Sequence, residues 1–218
     1  GISELEKFIK SYYDQDGFPR SRNPNDLTFL TKYLLLISET INDSQKYLPE
    51  FLEDIIEKSL ECISIIKTPD EKVPFFNGGS ENNIAPFEKY LENIGSKKKK
   101  DKNIIGGLFY AKLKNQMFFF DVEGPPYKNF SRNYQSGPLS FEYFLDGKKI
   151  ITNCGFGDNI SPKSELISRL TASQSTLTIN DTTINKFERS RLVNRVFGNS
   201  IKSSFKTSDL NVKNDKHY

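Results

Sequence analysis

The chain has 218 residues, of which 36% are apolar and 13% aromatic, with a mean hydropathy of −0.57. Ten Tyr and eighteen Phe supply enough apolar surface for one or two packed domains and exclude a largely disordered chain. The longest apolar runs, Tyr33 to Ile37 and Gln116 to Val122, are too short to cross a bilayer, and a net charge of +3 gives no general field for nucleic acid.

The first half has helical period. Ser3-Glu4-Leu5-Glu6 has capping-box spacing and opens a helix with Leu5, Phe8 and Ile9 on one face. After a turn at Asp16-Gly17, Asp26 is a candidate cap for a second helix carrying Leu27, Leu30, Tyr33, Leu34 and Ile37. A third runs from about Pro49, with Phe51, Leu52, Ile55, Ile56, Leu60, Ile63 and Ile66 at helical spacing, and Thr68-Pro69 ends it. An irregular loop, Val73 to Gly79, precedes a short helix from Pro86 to about Ile94, closed by Gly95.

From Ile104 the period becomes two. Ile104 to Lys114 and Gln116 to Val122 form one expected hairpin around Asn115; Leu139 to Leu145 and Lys148 to Cys154 form another across Asp146-Gly147. Ser175 to Ile179 and Thr183 to Phe187 flank Asn180-Asp181 as a third pair. The expected fold is α+β: a helical segment over residues 1–95, resembling part of an α/α toroid, and a basic linker over 96–103 holding the run Lys97 to Lys100. An antiparallel β-sandwich, not necessarily complete, follows over 104–200, with a frayed polar tail over 201–218. The opening Gly-Ile-Ser and the lack of a signal-peptide pattern read as a segment of a longer protein.

Two cysteines, Cys62 and Cys154, make no disulfide framework, and Cys154 reads as a small buried apolar group. The single histidine is His217. A histidine metal centre, a Ser-His-Asp triad or a histidine general base therefore has almost no material to draw on, and catalysis falls to Tyr, Lys, Arg, carboxylates or amides.

One series of motifs is more specific. Asp121-Val-Glu-Gly-Pro-Pro126 is followed by Gly137-Pro-Leu-Ser-Phe-Glu142, by Asp146-Gly-Lys-Lys-Ile-Ile-Thr-Asn-Cys-Gly155 and by Arg169-Leu-Thr-Ala-Ser-Gln-Ser-Thr176. It resembles the β-domain of the heparinase II/III-like family of polysaccharide lyases. In the helical half, Asp16-Gly17 with Ser21-Arg22-Asn23-Pro24, and Phe75-Phe76-Asn77-Gly78, resemble that family's elements at the end of its toroid and just after it. The similarity covers about residues 14 to 190. It implies β-elimination on uronate-containing polysaccharide: a base takes the proton at C5, a neutralising group tempers the adjacent carboxylate, and the glycosidic oxygen leaves. It further implies Tyr and His as acid and base, Asn, Gln or Arg on the carboxylate, a structural zinc in many members, and a periplasmic or envelope location.

In register with that resemblance, the family's histidines fall on Asn133, Gln135 and Gln174, and its aspartates on Gly137 and Asn153. Neutral amides are poor zinc ligands, so neither zinc nor any other cofactor is expected and no residue is assigned to a metal. Gln135, Asn153 and Gln174 can close on one another as a hydrogen-bonded cluster, or contact the hydroxyls or carboxylate of a sugar. Tyr134, with Gln135, is the catalytic candidate, as a phenolic acid or base or else as a packed strand tyrosine. Arg20, Arg22 and Arg132 are candidates for binding a carboxylate or sulfate, against a simply solvated surface role. Arg169 is expected to pair with a carboxylate such as Glu142 inside the sandwich, in a structural role. The expected partner is an acidic polysaccharide, and a lyase stands beside two alternatives: a silent glycan-binding module at the envelope, and a structural unit that pairs through an open sheet edge.

Overall fold

The computed structural model describes residues 1–94 and 103–188, and from there to the C-terminus residues 190, 192, 194, 195, 198, 200–202, 205–208, 210 and 211. The linker expected over 96–103 lies almost wholly outside them, as do Gly95 and His217. Helices come first: α1 (Ile2–Tyr12), α2 (Pro24–Asp43), α3 (Glu50–Ile66) and α4 (Glu88–Ile94), the last preceded by a 3-10 turn at Ala85–Phe87. A five-stranded antiparallel sheet follows in simple sequential order: β1 (Ile104–Ile105), β2 (Leu108–Leu113), β3 (Gln116–Asp121), β4 (Phe141–Leu145) and β5 (Lys148–Ile151). The α+β order read from the sequence is the order of the fold.

Details of capping differ from the sequence reading. Helix α1 starts at Ile2 with Gly1 as N-cap, so Ser3 caps nothing. Asn23, not Asp26, caps α2: its side chain accepts from the Asn25 amide at 2.9 Å, and Pro24 at the first helical position needs no donor partner. Asp26 instead accepts from Ser21 Oγ at 2.6 Å and from the Tyr12 hydroxyl at 3.2 Å, which ties α1 to the start of α2. Burial, reinforced by the charge of Asp26, pushes the Tyr12 phenol up to about 12. Of the α2 stripe, Leu27 and Leu34 are buried, whereas Tyr33 stands exposed beside Phe29.

The two long hairpins form about the expected turns, but the expected strand Ile104 to Lys114 is broken at Gly106-Gly107, both at positive φ, into β1 and β2, and β5 ends at Ile151, short of Cys154. Asp146 and Gly147, both at positive φ, make the tight turn between β4 and β5. Period two then sorts side chains to two faces. Met117, Phe119 and Phe144 point into one continuous core that also contains Leu27, Leu52, Ile63 and Ile66 of the helices. The opposite face carries Phe109, Phe118, Phe120, Phe141 and Tyr143, half-buried and paired across strands, with Phe118 and Tyr143 stacked at 4.4 Å and Phe120 and Phe141 at 5.4 Å.

Beyond β5 the sequence reading needs correction. A helix, α5 (Pro162–Ser168), caps itself through Ser161. The stretches expected as strands around Asn180-Asp181 contribute only the isolated bridges Ile179 to Thr182 and Phe187 to Ile201. At its start the stretch is tied down by single contacts in place of a ladder: the Ser175 amide donates to Asn153 Oδ1 at 3.0 Å, the Ser175 carbonyl accepts from the Phe141 amide at 3.4 Å, and Thr176 Oγ1 donates to the Pro138 carbonyl at 2.5 Å. The start of the expected frayed tail is docked, since Ser200 and Ile201 are buried and the Ile201 amide donates to Ser131 Oγ at 3.1 Å.

Candidate functional site

The loop between α1 and α2 drives two side chains into the sheet. Phe18, fully buried, presses on the Gly106-Gly107 turn so closely that a Cβ at Gly106 would lie 2.5 Å from its ring. Arg22, at φ 59°, donates through Nε to Gly106 O at 3.1 Å and through Nη1 to Glu123 O at 3.1 Å and Gly124 O at 2.6 Å. Its Nη2 donates to Gly107 O at 3.2 Å and makes a short ion pair with Asp121, which also accepts from Asn77 Nδ2 at 3.4 Å. Desolvation opposes both charges: it pushes the Asp121 carboxyl up while Arg22 pulls it back, and on the guanidinium it is outweighed by that carboxylate. Arg22 is thus committed inside the protein, where the sequence reading offered it to substrate.

Glu142 is the second buried carboxylate on the inner face. It accepts from Thr152 Oγ1 at 2.6 Å and from the amides of Asn153 and Phe75 at 3.2 Å each, with Lys149 Nζ 3.6 Å away. Desolvation raises its carboxyl against those contacts. The expected pairing of Glu142 with Arg169 does not form. Arg169 lies over the Phe187 ring and donates to Tyr134 O at 2.9 Å and Ser131 O at 3.1 Å, and burial lowers its guanidinium to about 10. Its reach ends on a loop, because Glu142 is enclosed by β5 and the Phe75 segment.

The amides partly converge. Gln135 Oε1 accepts from the Gly78 amide at 3.0 Å, and its Nε2 donates to Gly155 O at 2.8 Å and Ser168 O at 2.7 Å. Gln174 Nε2 reaches the same Ser168 carbonyl at 2.7 Å. Both amide nitrogens face Cys154 Sγ, at 3.9 and 3.7 Å. Asn153 stands one step aside: its Oδ1 accepts from Ser175, and its buried Nδ2 has no partner. Asn77 at φ 54° and Gly78 at φ 100° make the turn that presents the Gly78 amide, and a Cβ there would lie 2.7 Å from the Asn133 side chain. Cys154, expected to be buried, is exposed; Cys62 is the buried one.

Tyr134 lies 1% exposed beside the Arg22–Asp121 pair, its hydroxyl without a hydrogen-bond partner. Burial first, and then the charge of Asp121, pushes its phenol well above the usual range. A group so placed does not reach a polymer in solvent. Arg132 is exposed and packs beside Gly198. Arg20, also exposed, lines a groove of about 590 Å³ between residues 14–22, the 123–128 loop and the residues Ile201, Lys202 and 205–207. Lys128, Lys202 and Lys206 line it with Arg20, against Asp14 and Glu123.

The family model of the heparinase II/III-like C-terminal domain matches residues 106–217. The chain belongs to this family. A search of curated proteins gives no significant match. Among solved structures, the heparan sulfate lyase HepC from Pedobacter heparinus is similar at 20% identity and TM-score 0.67, over 87% of this chain and 35% of that one. Heparinase III is similar at 13% identity and TM-score 0.65, over 86% of this chain and 36% of that one. The heparinase II/III-like chain therefore spans about a third of the length of these structures, with the same fold over that span.

The structural zinc that the family resemblance implies does not fit the donors present. Where this heparinase II/III-like chain would need imidazole or carboxylate, Gln135 and Gln174 point N–H groups, and a donor N–H has no lone pair for a metal. No cluster of three or more His, Cys, Asp or Glu side chains suited to a metal ion occurs among the described residues. Sequence reasoning missed the Ser168 carbonyl and Cys154 as members of the amide cluster, and Lys202 and Lys206 as groove residues. Ile201 and Phe205, apolar residues in a polar stretch, were the available sign that this stretch is docked.

Proposed function

We propose that this chain is the part of a lyase-like protein that holds acidic, uronate-containing polysaccharide, in the groove between residues 14–22, residues 123–128 and the residues 201, 202 and 205–207. The observation that carries the reading is the charge of that groove. Arg20, Lys202 and Lys206 face a concave surface whose other charges are Asp14, Glu123 and Lys128, the last paired with Glu188 at 3.7 Å, with Arg22 already neutralised by Asp121. Carboxylates and sulfates on a polymer meet such a surface with charge-assisted hydrogen bonds and salt-sensitive affinity. HepC is named as a lyase of heparan sulfate, which supports that substrate class.

Tyr134 and Gln135 are enclosed in the fold, so in this reading they support the scaffold. The proton transfers of β-elimination belong to other residues of the protein. A polysaccharide of this kind is met outside the cytoplasm, and a periplasmic or envelope location is part of the proposal. Among the described residues, no helix is long and apolar enough to cross a membrane.

The test is binding of heparan sulfate and alginate by the protein and by its Lys202→Glu/Lys206→Glu variant, at low and high salt. Retention that weakens with salt and falls at least about tenfold in the variant is expected; binding that ignores both changes, or no binding to either polymer, overturns the reading. Appearance of the ultraviolet-absorbing unsaturated uronate separates a lyase from a silent glycan-binding module.

A further inference from the structure

Histidine and glutamine place Nε2 the same number of bonds from Cα, so a glutamine can aim a nitrogen at the point where a histidine would aim its own. In this chain, the Nε2 atoms of Gln135 and Gln174 both lie 2.7 Å from one oxygen, the Ser168 carbonyl, and 3.9 and 3.7 Å from Cys154 Sγ. Nitrogen and sulfur ligands of a tetrahedral zinc, at roughly 2.0 and 2.3 Å from the metal, stand roughly 3.5 Å apart. The nitrogen–sulfur spacings are near those of a metal site and the chemistry is not, since the Ser168 carbonyl oxygen occupies the point on which both nitrogens converge. The two amides spend their N–H groups on carbonyls, and three separate loops are joined: Gly78, Gly155 and the C-terminal end of α5 at Ser168.

We propose that Gln135 and Gln174 form a metal-free cross-link at this point, in which hydrogen bonds do the joining that a metal would do, and that Cys154 leaves the site two substitutions short of a zinc centre. Gln135 is the keystone, since its single side chain accepts from one loop and donates to two others. The residue Cys154 is exposed at the surface, while its thiol turns inward and donates to Gly155 O at 3.1 Å and Ser168 O at 3.6 Å, so a metal bound in a histidine variant would take the place of that proton. Asn153 is not needed, because its Oδ1 is held by Ser175. This inference is independent of the glycan groove.

The experiment compares the wild-type chain, Gln135→His/Gln174→His, and that double variant with Cys154→Ser. Each is titrated with cobalt(II) as the spectroscopic probe, and zinc content is measured after dialysis. The wild type is expected to give no thiolate-to-cobalt absorption, and its melting temperature is expected to be unchanged by a chelator. The double variant is expected to show the charge-transfer band and to retain about one zinc per chain, both lost with Cys154→Ser. Zinc retained by the wild type, or a fall of its melting temperature on chelation, overturns the metal-free cross-link. A folded double variant that ignores cobalt overturns the assigned geometry. Should the double variant fail to fold, the chelation measurement on the wild type still decides the central claim.

Discussion

Replacing Arg22 by methionine keeps the length of the side chain and removes its charge and its donors. In the native fold that guanidinium serves four backbone carbonyls, those of Gly106, Gly107, Glu123 and Gly124, together with the Asp121 carboxylate. The side chains of Arg22 and Asp121 are 6% and 1% exposed, so water does not take over the lost contacts. Breaking a buried ion pair from one side costs about 3–5 kcal/mol, because the remaining charge is left uncompensated. Total stabilities run about 5–15 kcal/mol, so the variant should lose about a fifth or more of its stability near neutral pH. The expected drop in melting temperature is about 10 °C. The cost should shrink in acid: without Arg22 the Asp121 carboxyl rises further and takes up a proton, with about 1.4 kcal/mol recovered for each unit of that rise. Urea denaturation followed by circular dichroism at about pH 7 and about pH 5 reads both effects. A loss below about 1 kcal/mol at neutral pH, with no recovery in acid, would refute the argument, since it would mean that water reaches the pair.

Other expectations follow from the same geometry. Tyr134→Phe removes a buried hydroxyl that has no partner, so stability should change by less than about 1 kcal/mol and glycan binding should be unaffected; a tenfold loss of either product formation or binding would place that hydroxyl on the substrate. In native protein a thiol reagent should modify Cys154 and leave Cys62 untouched until denaturant is added. The reaction should be slow near neutral pH, because the thiol of this exposed residue turns inward toward Gly155 O and partial desolvation raises its pKa; two thiols reacting at equal rates would contradict the burial pattern. Desolvation raises the folded-state carboxyls of Asp14, Asp26, Asp121 and Glu142. A raised acid adds stability that is fully present below its unfolded pKa and is lost as pH climbs through the folded value. The melting temperature should therefore rise between about pH 7 and about pH 5, and a steady fall over that interval would show that those carboxylates are better stabilised as anions than their surroundings suggest.

The elements that could be read from the sequence are those whose cause is local. Helix α3 follows from apolar residues at helical spacing closed by Thr68-Pro69, and the β4–β5 hairpin from alternating apolar residues around Asp146-Gly147. A short-range signal was present even where it went unread: Ser161-Pro162, with Glu165 in the first turn, marks α5 as a cap, a first-turn proline and a favourable charge. The stretch from Ser175 to Phe187 shows the limit of such signals. It alternates like a strand, yet it makes only isolated bridges: the Ser175 amide is held by Asn153, and the hydroxyls of Ser175 and Thr176 donate to the carbonyls of Phe141 and Pro138. Period two records which face a side chain takes and says nothing about which backbone lies alongside.

The site followed the same division. The family motifs located Arg22, Tyr134, Gln135, Asn153 and Gln174 as residues of interest, and the count of one histidine already turned the zinc chemistry toward amides. What each residue does was set by contacts across long separations in the chain: Arg22 with Asp121, Gln135 with Gly78 and Ser168, Glu142 with Phe75. A guanidinium or an amide has the same donors wherever it sits, and solvent or substrate would satisfy them equally well. Only the tertiary structure, by bringing carbonyls and carboxylates to those donors and shutting water out, decided that Arg22 and Gln135 hold the fold together while Arg20 is left facing the groove.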